Sequence, residues 1–177
     1  QGLSDSEKID ILTRTADLRE RRLSDSKGAF EVLGDAFVID PSDDFVRGEI
    51  MRVSSQYGMN ADFADILEIV IPEVSDNFAL SAELISTVAK LYDENLGDFG
   101  KAELAYRKLL DLDKDNSETA LPAIAALDRM LTAGESFEQL LEILRIHVKL
   151  VDNIDEKRTI LHRMAEIEEN VLVRTSN

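Results

Sequence analysis

Residues 7–23 read EKIDILTRTADLRERRL, and residues 156–172 read EKRTILHRMAEIEENVL. Laid over one another at a displacement of 149 residues, eight of 17 positions are identical: Glu7/Glu156, Lys8/Lys157, Ile11/Ile160, Leu12/Leu161, Arg14/Arg163, Ala16/Ala165, Glu20/Glu169 and Leu23/Leu172. Average composition would give about one. A displacement near half that size works as well. At 73, Ala16, Leu18, Leu23, Asp25, Ala29 and Asp40 fall on Ala89, Leu91, Leu96, Asp98, Ala102 and Asp113. At 74, Ile50, Phe63, Leu67, Glu68 and Ile69 fall on Ile124, Phe137, Leu141, Glu142 and Ile143. Each such block holds two helix pairs, so the unit is a helical hairpin of roughly 35–38 residues, the spacing of stacked repeats.

The spacing of apolar residues within the units is helical. Ile11, Leu12, Thr15, Ala16 and Leu18 form one stripe; Leu84, Ile85, Val88, Ala89, Leu91 and Tyr92 form its counterpart. Ser4–Glu7, Ser136–Gln139 and Asn153–Glu156 have capping-box patterns ahead of such runs. Breaks fall at Asp40-Pro41-Ser42, Asp76-Asn77, Leu96-Gly97-Asp98, Lys114-Asp115-Asn116 and Gly134-Glu135. Pro122 fits only a first turn, which places that helix start near Thr119. Pro72 should end or kink the helix holding Ile66–Val70. The expected organisation is a single helical-repeat unit over residues 1–177, with hairpins at about 5–40, 43–75, 78–113 and 118–152 and an unpaired helix at 154–173.

The clearest unit runs from Ile85 to Asn116: Val88-Ala89-Lys90-Leu91-Tyr92, then Leu96-Gly97-Asp98-Phe99, then Lys101-Ala102, Ala105-Tyr106, Leu109-Leu110 and Leu112-Asp113. It resembles the tetratricopeptide repeat in its small residue and tyrosine, its Gly-Asp-aromatic turn, and its alanine followed four residues later by an aromatic. It departs from that pattern in a longer turn, Asp93–Gly100, and in Lys114 where a proline often stands. Other units are looser, with Ser54/Tyr57/Phe63/Ile66 and Asp128/Leu131/Phe137/Leu140 at the matching positions. The fold expected is all-α: an open right-handed superhelical α-solenoid of about nine helices, stacked as antiparallel hairpins that share a continuous core.

Composition agrees and removes several functions. The 177 residues include 44% apolar residues, only eight glycines and three prolines, and no cysteine. Disulfides, thiolate metal sites and cysteine nucleophiles are excluded together. A net charge of −16 repels phosphate backbones and anionic lipid, so neither nucleic acid nor a membrane surface is an expected partner. No apolar run approaches the roughly 18 residues that cross a bilayer. The Gln-Gly start, without methionine or a basic-then-apolar leader, reads as a piece of a longer protein lacking its true N-terminus. The compartment stays open, with a lean to the cytoplasm.

No chemistry-bearing motif survives inspection. Asp111-Leu112-Asp113-Lys114-Asp115 begins like a calcium loop but has Asn116 and Pro122 where glycine and glutamate are needed. His147 and His162 have no ligand-spaced companions. Neither a nucleophile elbow nor a glycine-rich phosphate loop is present. Tyr57, Tyr92, Tyr106, Phe63, Phe99 and Phe137 read as inter-helix core. The expectation is a non-enzyme without cofactor or metal.

Charge distribution carries more. Residues 31–100 hold 15 acids against Arg47, Arg52 and Lys90. Such a surface steers basic partners. In tetratricopeptide arrays the first helix of each hairpin lines the concave groove. That resemblance implies a groove of Asp10, Thr13, Asp17 and Glu20, then Met51 and Ser55, then Glu83, Ser86, Lys90 and Asp93, then Ala125 and Arg129, then His162, Glu166 and Glu169. Asp43, Asp44, Asp62 and Glu73 fall instead on loops or second helices. The function expected is a protein–protein interaction scaffold that binds a protein or basic peptide in this acidic groove. The alternative is a structural spacer or self-assembling segment of a longer array, with self-association through the C-terminal helix.

Overall fold

The computed structural model describes residues 2–175, with side chains through residue 169; Leu172, matched above with Leu23, falls outside the described side chains. Among the described residues the chain is all-helical, with nine α-helices and no strand. They are α1 (Asp5–Leu23), α2 (Ser26–Ile39), α3 (Asp44–Tyr57), α4 (Asn60–Glu73), α5 (Phe78–Lys90), α6 (Phe99–Asp113), α7 (Ser117–Ala133), α8 (Phe137–Leu150) and α9 (Ile154–Thr175). A π-helical segment, Leu91–Leu96, prolongs α5. The long turn expected from Asp93 to Gly100 is thus corrected: helical winding continues to Leu96, and only Gly97 and Asp98 remain as connector. The Asp98 amide closes that end on the Tyr92 carbonyl at 2.9 Å.

Local chemistry fixes the helix starts. Ser4 and Glu7 form a reciprocal capping box, the Ser4 amide donating to the Glu7 carboxylate at 2.8 Å. Asp43, Asp98 and Asn116 accept from first-turn amides of α3, α6 and α7, and Asn153 does so for α9. Ser136 does not behave as its pattern implies. It stands before α8 but makes no side-chain cap bond. Asp25 and Asp98 cap from similar backbone angles because a carboxylate reaches one bond further than a hydroxyl.

The Thr119 start is also corrected. Asn116 caps the Glu118 amide and starts α7 at Ser117, leaving Pro122 inside the helix. Pro122 therefore withholds the hydrogen bond that the Glu118 carbonyl would accept, and Glu118 is exposed to water. Pro72 sits in the last turn of α4, which ends at Glu73.

The chain divides into two compact units: residues up to Leu84 with Glu94–Gly97, and Ile85–Asp93 with Asp98 onward. In the first unit α1 packs on α2, α2 on α3 and α3 on α4, and α2 also meets α4. The α2–α4 approach is close enough that a Cβ on Gly34 would lie 3.0 Å from the Ile66 side chain. Phe37 and Phe63 meet there edge to face, ring centres 6.1 Å apart, and both are fully buried. Val46, Ile50 and Val53 of α3 complete this core. In the second unit α6 packs on α7, α7 on α8 and α8 on α9. Tyr92, Tyr106, Leu109, Ile124, Leu127, Leu140 and Leu144 form its interior.

Two readings of apolar residues need correction. Tyr57 and Phe99 are exposed, so they are not core aromatics, and Phe137 is half-buried. The α1 stripe also splits: Ala16 is buried, whereas Ile11 and Leu18 are half-exposed. Its counterpart from Leu84 to Tyr92 is buried throughout.

Candidate functional site

The first helices of successive hairpins are joined by charged side chains. Arg52 of α3 donates to Glu20 of α1 through two parallel bonds, 2.9 and 2.6 Å, and the Tyr57 hydroxyl donates to the same carboxylate at 3.1 Å. Arg47 of α3 reaches Glu83 of α5 at 3.1 Å and also grips Asp44. Arg129 of α7 donates to Asp93 of the π-helical segment at 2.6 Å. Arg163 of α9 donates to Asp128 of α7 at 2.6 Å and to the Thr132 hydroxyl at 3.0 Å. Each pair spans roughly one repeat of sequence, and each lies within one compact unit. Bidentate arginine–carboxylate geometry suits such joints because the fork fixes distance and orientation together.

Charge states follow. The Arg52 hydrogen bonds hold the Glu20 carboxyl below its ordinary value, against the opposing effect of burial. Burial pushes Asp128 up, but the Arg163 hydrogen bond and charge together with Thr132 outweigh it, and the net shift is downward. The Tyr57 hydroxyl is raised, chiefly by its bond to Glu20.

These clamps engage part of the expected groove. Glu20, Glu83, Asp93 and Arg129 are all clamp members. Asp43 and Asp44 open α3 as its cap and first residue. Met51, Ser55 and Lys90 are exposed, and Ser86 is half-buried. Glu169 is exposed near the end of the described side chains.

Three expected groove residues come together. Asp10, Thr13 and Asp17 line an open depression of about 510 Å³ with Arg14, Leu18 and Phe45. The Thr13 hydroxyl donates back to the Ile9 carbonyl at 2.8 Å. Leu18 is 56% and Phe45 66% exposed, so the depression offers two large apolar side chains to solvent. Asp10 and Asp17 flank them, paired with Arg14 at 3.1 Å and Arg21 at 2.7 Å one helical turn on. His162 and Glu166 line a second depression of about 500 Å³, on α9, with Arg158, Thr159 and Arg163. Glu166 lies 3.5 Å from His162.

Sequence reasoning missed Phe45, Leu18 and Arg14, together with the clamp residues Arg47, Arg52, Asp128 and Arg163. A signal existed for two of them. Arg47 and Arg52 are the only arginines among the 15 acids of residues 31–100, and both cross between hairpins. Among the described residues no three histidine or acidic side chains converge as a metal site, and no helix is long and apolar enough to cross a membrane.

No family model matches the chain, and the search of curated proteins returned no match.

Proposed function

We propose that the chain is a non-catalytic protein-interaction module whose hairpins stack, within each unit, as tetratricopeptide-like solenoid repeats. Three features support the stacking: the roughly 35-residue unit, the contact of α2 with α4, and charged clamps between neighbouring first helices. The module takes a basic protein segment, with an apolar side chain seated between α1 and α3. One observation carries this reading: Leu18 and Phe45 stand exposed in a depression flanked by Asp10 and Asp17. Large apolar groups rimmed by polar ones mark interaction sites. The exposed Asp10–Arg14 and Asp17–Arg21 pairs contribute little to the fold, so an incoming lysine or arginine can exchange into them.

Fluorescence anisotropy with labelled peptides of equal length tests it. A basic peptide carrying one leucine or phenylalanine should bind about tenfold tighter than its acidic counterpart, and the difference should shrink as salt rises. Phe45→Ser and Asp17→Asn should each weaken the basic peptide. Unchanged affinity in both variants would place any binding elsewhere.

A further inference from the structure

The sequence kinship of α1 and α9 has a structural counterpart in how the two helices are covered. In α9, Ile160 and Ile167 are buried at 7% and 9% exposure, and Arg163 holds Asp128 of α7. That face looks back onto the α7–α8 hairpin. The matching residues of α1 are Ile11, Leu18 and Arg14, and all three are open: Ile11 is 50% exposed, Leu18 56%, and the Arg14 side chain 77%. Two large aliphatic side chains at the same spacing are docked in one helix and exposed in the other.

The opposite faces reverse the relation. Glu20 of α1 looks forward and clamps Arg52 of the next first helix. Its counterpart on α9, Glu169, is exposed. Leu12 is half-buried, whereas its counterpart Leu161 is 51% exposed. Thus α1 displays the backward half of an inter-repeat joint and α9 displays the forward half. The charges are complementary in the order seen in three of the four clamps: carboxylate on the earlier helix, arginine on the later.

We infer that α1 of one copy docks on α9 of a second copy. Ile11 and Leu18 cover Leu161, and Arg14 reaches Glu169 as Arg163 reaches Asp128. The contact is heterologous, so every copy brings one half of each kind and assembly is not limited to pairs. This inference goes beyond the peptide reading and does not rest on it.

Sedimentation velocity on the full chain, from about 10 μM to about 1 mM (the range where weak contacts of this size associate), tests the joint. The unsubstituted chain should pass from monomer through dimer to larger species. Ile11→Glu blocks the backward half and Leu161→Glu the forward half; both positions are exposed, and circular dichroism checks that helicity is kept. Each variant alone should stay monomeric, whereas an equimolar mixture should form a one-to-one dimer and stop there. Arg14→Glu should weaken that mixed dimer about tenfold when placed in the Leu161→Glu chain, and Glu169→Arg in the Ile11→Glu chain should restore it. A monomeric unsubstituted chain at about 1 mM, a self-dimer of Leu161→Glu, or a mixture that stays monomeric would each overturn the inference. Leu18 and Arg14 line both the peptide depression and the proposed joint, whereas Phe45 belongs to the depression alone, so Phe45→Ser should weaken the peptide and leave self-association intact.

Discussion

Arg52 and Glu20 lie 32 residues apart and meet face to face, the guanidinium fork of α3 closing on the carboxylate of α1 at 2.9 and 2.6 Å. Glu49 completes the arginine's surroundings from its own helix at 2.9 Å, and Tyr57 caps the glutamate. The Glu20 side chain is only 11% exposed, so it depends on these partners for what water would otherwise supply.

Removing both partners together should therefore cost less than the sum of removing each alone. Glu20→Ala should destabilise the chain by about 1–2 kcal/mol, the range for a lost hydrogen bond to a charged group, discounted because Arg52 is partly solvated. Adding Arg52→Ala should cost less than the sum of the two single changes. Urea unfolding of the four proteins measures the coupling, and strict additivity would show the clamp to be energetically silent.

The lowered Glu20 and Asp128 carboxyls make stability depend on acid. Both have folded values below their unfolded ones, so more protons are bound in the unfolded state as pH falls. The contribution is fully present above the ordinary glutamate value of 4.5 and is lost as pH drops through the lower folded values. The urea midpoint should be level from about pH 7 to about pH 5 and fall below about pH 4. Glu20→Gln should flatten that fall. A midpoint that declines on the alkaline side instead would contradict the assignment.

Two serines with the same sequence pattern should respond differently. The Ser4 hydroxyl accepts from the Glu7 amide and the Ser4 amide donates to the Glu7 carboxylate, whereas Ser136 makes no side-chain cap bond. Ser4→Ala should cost about 1 kcal/mol, with Ser136→Ala within about 0.5 kcal/mol of the parent. Thermal unfolding of both variants decides it, and equal losses would mean that Ser136 caps α8 in solution.

Pro122→Ala should stabilise the chain. The alanine amide can donate to the Glu118 carbonyl, and the helix loses its poorest former. The gain should be about 1–2 kcal/mol, after subtracting the proline's restriction of the unfolded chain. A loss of stability would show that the ring itself is needed where it stands.

Helices and their connectors were legible because periodicity, caps and prolines act within a few residues. Ser4 and Asn153 cap the helices that their patterns announce, four of the five expected breaks fall between helices, and the fifth does so at Gly97-Asp98 once Leu96 has closed the π-helical segment. What escaped depends on neighbours. Ile11 and Leu18 have core spacing, yet burial on a helix is decided by what covers it, and nothing in the described chain covers that edge of α1. Glu83 and Asp93 looked like groove acids because their partners, Arg47 and Arg129, lie 36 residues away in either direction. The polar run Asp93-Glu94-Asn95-Leu96 looked like a turn, although wider helical winding holds it. Arg14 and Leu18 of α1 share the depression with Phe45 of α3, and no single stretch encodes the approach of those two helices.

Because every clamp reaches only the adjoining hairpin, the joints are transmissible. Helix α7 carries both halves of a joint, Arg129 toward Asp93 and Asp128 toward Arg163, whereas α3 contributes two arginines, Arg52 and Arg47, and the α5 hairpin two carboxylates, Glu83 and Asp93. An α7–α8 hairpin could therefore repeat beside its own copy with its charges matched, whereas the α3 and α5 hairpins could repeat only together, as a pair that opens on Arg52 and closes on Asp93.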